Sequence, residues 1–241
     1  MSRTTCIAVG VMTAVCLPID AQTEATSTTI PVTGIRGIAE ALDHLQQVFQ
    51  VPMNYEQLPL ERPATRQKEV PKRLLSDRAV AFTPLPDASR SPYLAAQSVL
   101  RAYRNESEPG IYGVYKVIQQ PNRVEVVPVQ VLGVDDSLRD VTPLMSRRIS
   151  FSEATRLLPD TLRLITEALS AESGSQVNLI DIPGLSLEQV ELGANGESAA
   201  DVIKKLGNSL NRKISFRCVF DADAKTYYLA VKGLPPRVPK R

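Results

Sequence analysis

The sequence predicts an α+β fold made of two diverged copies of one small module, each with two helices packed on short mixed or antiparallel β-sheets. Three observations carry this prediction. First, Val190 to Val231 reads as strand, turn, helix, strand, tight turn and strand, and a fainter copy of that order lies about a hundred residues upstream. Second, the stripe Val202, Ile203, Leu206, Leu210 repeats Ala95, Ala96, Val99, Tyr103 at a constant separation of 107, which also relates Ser198 to Ser91. Third, apolar spacing switches repeatedly between helical and strand periods along the chain.

In the later copy, Val190-Glu191-Leu192 alternates as a half-buried strand does, and Asn195-Gly196 is expected to turn the chain, since both residues tolerate the left-handed region. Ser198 is placed to cap the next helix, with Asp201 three residues on, where a carboxylate favours the helix dipole. Lys204, Lys205 and Asn208 lie off the apolar stripe, and Asn211-Arg212 closes the helix. Ile214, Phe216, Cys218 and Phe220 alternate with Ser215, Arg217 and Val219, which are expected on the outward side. Asp221 to Lys225 is a polar turn of hairpin length, and Tyr227 to Val231 returns.

The chain has 241 residues, enough for one large domain or two small ones. Its 43% apolar and 22% charged content is that of a globular protein, and a net charge of +2 is too small to point to nucleic acid. Arg3, the 12-residue apolar run Cys6 to Leu17 and the Pro18 to Ala21 segment read as a cleaved signal peptide, residues 1–21. The run is shorter than the roughly 20 residues that span a bilayer. No later run reaches that length, so the mature chain is expected to be periplasmic or secreted without an integral membrane segment. Cleavage removes Cys6 and Cys16 and leaves Cys218, which excludes an internal disulfide; a buried, inert thiol is expected.

In chain order, residues 22–29 form a polar leader, followed by a module over 30–131. Ile30-Pro31-Val32 is expected as an edge strand, and a helix from Gly37 to Gln50 buries Ile38, Ala41, Leu42, Leu45 and Phe49. Val51, Met53 and Tyr55 continue as an alternating strand. Leu60 to Arg78 carries Arg62, Arg66, Lys68, Lys72, Arg73 and Arg78 with two prolines and no periodicity, and is expected as a long exposed loop. It coincides with about 16 residues that the second module lacks. Val80 to Leu85 is a strand, and Ser91-Pro92 opens a helix. Ile111 to Ile118 and Val124 to Val129 make a hairpin. Leu132 to Arg148 reads as a linker, and 149–233 as the second module, with a short strand at Ile149 to Phe151, a helix over Thr161 to Ala171 and a strand over Val177 to Asp181. Residues 234–241 form a basic, proline-rich tail that is not expected to fold.

Ile30-Pro31, Ala41-Leu42, the strand Val51 to Tyr55 and the unit around Asn195-Gly196 together resemble the short N-terminal domain shared by secretins and TonB-dependent transducers, here in two copies. The chain also looks like uncharacterised exported bacterial proteins of this size. In the named families the domain docks onto periplasmic partners and is not an enzyme. No secretin gate or outer-membrane barrel follows here, so the resemblance implies a free-standing binding module with an envelope protein as partner.

The residues themselves offer little chemistry. His44 is the only histidine, so a catalytic triad, a Cys–His pair or a histidine metal site would each require it, and its place beside the apolar stripe reads as a solvated edge. Gly193-Ala194-Asn195-Gly196 lacks the lysine and spacing of a phosphate loop. Asp135-Asp136 sits in the linker, and Asp221 with Asp223 flanks a turn where aspartate is favoured for backbone reasons. No catalytic, cofactor or metal site is therefore expected. A hydrolase would need two carboxylates converging in a cleft. The basic loop could meet an anionic surface or an acidic partner, while the tail lacks the aromatics that single-stranded nucleic acid would use. The leading expectation is a non-enzymatic interaction module; the alternative is a small-ligand or cell-wall-binding protein with a pocket between its modules.

Overall fold

The computed structural model describes residues 28–32, 37–59, 78–82, 90–106, 113–133, 135, 137–180 and 188–234. The first half runs β1 (Thr28–Val32), α1 (Gly37–Phe49), β2 (Met53–Glu56), β3 (Arg78–Phe82), α2 (Pro92–Glu106), β4 (Gly113–Gln120) and β5 (Arg123–Leu132). A short strand β6 (Leu138–Asp140) and a 3-10 turn (Leu144–Ser146) follow. The second half runs β7 (Arg148–Leu157), α3 (Leu158–Ser173), β8 (Gln176–Leu179), β9 (Gln189–Ser198), α4 (Ala199–Ser209), β10 (Ile214–Asp221) and β11 (Thr226–Gly233). The fold is α+β, and one order of elements occurs twice.

Pairing repeats as well. β1 with β3 and β7 with β9 are antiparallel two-stranded sheets; β4–β5 and β10–β11 are hairpins; β2 runs parallel to β5, and β8 parallel to β11. Ser91 and Ser198 accept the amides of Leu94 and Asp201 at 3.3 and 3.1 Å, the capping expected of both, again 107 apart. In the first helix and following strand the separation is 124. Gln46 Oε1 accepts the Met53 amide at 2.9 Å, and Ser170 Oγ accepts the Val177 amide at 2.9 Å. The change from 124 to 107 falls between β2 and α2, where residues 60–77 lie outside the described residues.

One result departs from the expectation of two modules held by a linker. Both belong to one seven-stranded sheet, ordered β4-β5-β2-β10-β11-β8, with β6 beside β5. β2 of the first module pairs in parallel with β10 of the second, Tyr55 opposite Arg217 and Glu56 opposite Cys218. Strand order is kept from module to module while strand direction inverts, so a half-turn about an in-plane axis, plus a three-strand shift, relates them. That half-turn puts the two helix pairs on opposite faces. Met53 and Tyr55 lie in the core under α1 and α2, whereas Phe216 and Cys218 lie in the core under α3 and α4.

Leu132 to Arg148 is correspondingly built into the fold. Leu132 ends β5, β6 pairs back onto Gln130 to Leu132, and Leu144 and Met145 are buried in the second core. Arg148 already belongs to β7, whose span to Leu157 replaces the short strand expected at Ile149 to Phe151. β9 likewise continues to Ser198 without the turn expected at Asn195-Gly196. Ile149 pairs with Glu197 and Ser150 with Asn195, so Gly196 (φ 68°) is the extra residue of a bulge. Its left-handed backbone is used as anticipated, but inside a strand. At Gly193 a Cβ would stand 2.7 Å from the Glu153 backbone, so the β7–β9 approach admits only glycine there.

Smaller boundaries also shift. β3 already includes Arg78, α3 starts at Leu158, and the hairpin strands extend to Leu132 and Gly233, while 83–85, 111–112 and 181 of the expected strands lie outside the described residues. The signal segment, the leader up to residue 27 and the tail from 235 lie outside the described residues. Among the described residues, no helix is long and apolar enough to cross a membrane.

Candidate functional site

β2 has all four residues buried, against the half-exposed alternation expected of it. A strand parallel to a neighbour on each side, with helices of different modules on its two faces, has no side open to water. Asn54 and Glu56 therefore point into the second module. Asn54 Oδ1 accepts the Phe216 amide at 3.1 Å, and the Gln57 amide donates to the Cys218 carbonyl at 2.8 Å. Glu56 is 1% exposed and accepts the amides of Leu144 (2.6 Å) and Met145 (3.0 Å), one on each carboxylate oxygen. Those amides belong to the first turn of a 3-10 helix, whose N–H groups have no partner within the helix. Burial pushes the Glu56 carboxyl up to about 7 against the pull of the two amides and of Arg147.

The other face of the joint is charged and equally closed. Ser215 and Arg217, expected outward, are 0% and 4% exposed because α1 of the first module covers their side of β10. Arg217 binds Asp43 Oδ1 at 2.6 Å and donates to the carbonyls of Met53 and Phe216. Lys232 also approaches Asp43, at 3.4 Å, and Lys213 donates to the Gln50 carbonyl at 2.9 Å. Back on the Glu56 face, Arg123 on β5 joins Glu125 (2.5 Å) to Asp201 (2.8 Å) at the start of α4. Asp201, expected only as a dipole partner, is thus also an inter-module contact. Hydrogen bonds from Arg123 and then Ser198 lower its pKa.

The residues singled out from the sequence lie elsewhere. Arg62, Arg66, Lys68, Lys72 and Arg73 lie outside the described residues; Arg78 opens β3, its backbone paired with Val32. His44 is exposed on α1. Asp221 Oδ1 accepts the amides of Asp223 and Ala224 at 2.9 and 3.1 Å, the backbone role expected of a turn aspartate. Exposed Asp135 is held down at about 2 by Ser137 and Arg139. Among the described residues no group of three or more His, Cys, Asp or Glu is placed to hold a metal ion.

Cys218 is fully buried, and its thiol is pushed well above the ordinary range by burial, with Glu56 adding to the shift. In protein lacking residues 1–21, a maleimide should therefore label Cys218 only as fast as the chain unfolds. Stoichiometric labelling within minutes under native conditions would contradict this burial.

Two further features can meet other molecules. An open groove of about 580 Å³ runs past Ser146, Arg148, Asn195, Ser198, Lys204 and Lys205. Two of its cations are answered locally, since Lys205 pairs with Glu197 and Arg148 donates to the Gly196 carbonyl at 2.7 Å. The other feature is the sheet itself: among the described residues β4 pairs only with β5, and β8 only with β11. Comparison with known proteins matches this chain to no protein-family model, no curated protein and no solved structure.

Proposed function

We propose that this chain is an exported, non-enzymatic protein–protein interaction protein of the periplasm that receives partners on the two ends of its sheet. The observation that carries this reading is the pair of strands β4 and β8, each with one sheet neighbour among the described residues. A strand edge offers main-chain donors and acceptors to an added strand, which is a general mode of protein docking. The apolar leader Cys6 to Leu17 supports export, and the twice-repeated order, with its resemblance to the secretin and TonB-transducer domain, supports docking. The cations of residues 62–73 add electrostatic attraction for an acidic envelope partner or surface. A small ligand between the modules finds less support, because Glu56, Leu144 and Met145 fill the joint.

Affinity capture tests this with residues 22–241 as bait in cell-envelope extract, at low and high salt. One discrete partner should be retained by the native chain and lost when Leu179→Pro, which removes an amide on the open edge, blocks β8. A partner lost only on deleting residues 60–76 would transfer docking to the basic segment. Repeated capture of nothing would overturn the reading.

A further inference from the structure

The contact that joins the two modules is laid out again, in separate halves, at the two ends of the sheet. The separation of 124 that carries Gln46 to Ser170 and Met53 to Val177 also carries Asp43 to Glu167, Asn54 to Asn178 and Glu56 to Ile180. In the hairpins, Val117 stands opposite Val126 as Cys218 stands opposite Leu229, so Lys116 on β4 is the counterpart of Arg217 on β10. The β8 end thus carries Glu167 and Asn178 where the joint uses Asp43 and Asn54. The β4 end carries Lys116 where the joint uses Arg217.

These counterparts are accessible. The Glu167 side chain is 61% exposed and only 3.8 Å from its helix neighbour Arg163, Lys116 is exposed, and Asn178 is held by Gln176 at 3.2 Å. Ile180, just after β8, is 42% exposed. Its counterpart Glu56 sits opposite Cys218, whose own counterpart is Val117, so the buried acid of the joint is replaced by an apolar pair.

The symmetry permits the match. Applying the half-turn and three-strand shift twice yields a pure translation by six strands. β8 of one copy and β4 of the next then run parallel, as β2 and β10 do. Glu167 lies over the face covered by α3, and Lys116 points to that same face, because its neighbours Tyr115 and Val117 pack under α1 and α2. Resting on the reading of the strand edges as docking sites, we propose that the partner is a second copy of this chain, its β4 laid parallel against β8 with Lys116 paired to Glu167. The contact joins unlike surfaces, so it builds open head-to-tail chains and not closed dimers. It lacks both the Glu56 bonds and the covalent tether of the internal joint, so it is reversible and concentration-dependent.

Sedimentation of residues 22–241 over a concentration series at low salt tests this. The weight-average mass should rise past that of a dimer without a plateau. Lys116→Glu or Glu167→Lys alone should weaken association by about tenfold or more, because a pair becomes a like-charge contact. An equimolar mixture of the two variants should restore it, since each then meets an opposite charge. Both positions are exposed, and circular dichroism checks the fold of each variant. A monomer at every concentration, or association that ignores both reversals and the mixture, overturns the proposal. If that monomer still captures an envelope partner through β8, the docking reading stands without self-association; if it captures none, both fall.

Discussion

Replacing Glu56 with alanine is expected to destabilise the protein by about 3 kcal/mol, since it strips the partner from two buried amides and leaves a cavity. The loss is not larger because the carboxyl's own desolvation cost disappears with it. The amides of Leu144 and Met145 are the ones orphaned, and both residues are in the second core. The same carboxyl sets a pH dependence. Its pKa is raised from 4.5 to about 7 in the folded chain. Below pH 4.5 it is protonated both folded and unfolded, and its contribution is fully present. From 4.5 to 7 the unfolded chain releases a proton that the folded chain keeps, so stability falls as pH rises, by about 3 kcal/mol in all. Chemical denaturation at pH 4.5, 5.5 and 7 reads this slope directly. Glu56→Gln should cost about 1–3 kcal/mol for its imperfect pairing and should abolish this component of the slope. An unchanged slope in Glu56→Gln would remove Glu56 as its source.

The second large effect is an asymmetry across Arg217–Asp43. Asp43→Ala leaves a guanidinium that is 4% exposed without its counter-charge, an expected loss of about 3 kcal/mol. Arg217→Met leaves a carboxylate whose side chain is 32% exposed and still faces Lys232, so roughly half that loss is expected, mostly from the carbonyls of Met53 and Phe216 that lose a donor. Burial lowers the Arg217 pKa and Asp43 opposes that shift, which makes the arginine the dependent partner. Urea denaturation of both single variants and the double variant measures the coupling. Equal losses, or an Arg217→Met loss exceeding that of Asp43→Ala, would contradict it.

Much of the fold is legible in the sequence because it is local. Ser198 and Ser91 announce their helices by composition, and the stripes at 95, 96, 99 and at 202, 203, 206 are buried as their spacing implies. What is not legible is the joint. Strand alternation tells which side of Ile214 to Phe220 faces its own helices, and places Ser215 and Arg217 on the other side. Whether that side meets water or α1 depends on a contact 174 residues away in sequence, between Arg217 and Asp43. Glu56 gives no local sign either, since one acid at a strand end reads as a solvated terminus. Leu144 and Met145 read as part of a linker because a 3-10 turn is too short to show a period. Gly196 reads as a left-handed position, which it is, but a bulge and a turn demand the same residue.

One continuous sheet passing from β2 to β10 underlies all of these effects, and residue-resolved hydrogen exchange tests it most directly. The amides of Gln57 and Phe216, bonded across the joint to the Cys218 carbonyl and to Asn54, should exchange as slowly as those of Val126 and Leu229 in the two cores. Fast exchange at Gln57 and Phe216 with both cores still protected would mean that the modules part freely, and would contradict both the joint and the self-docking that copies it.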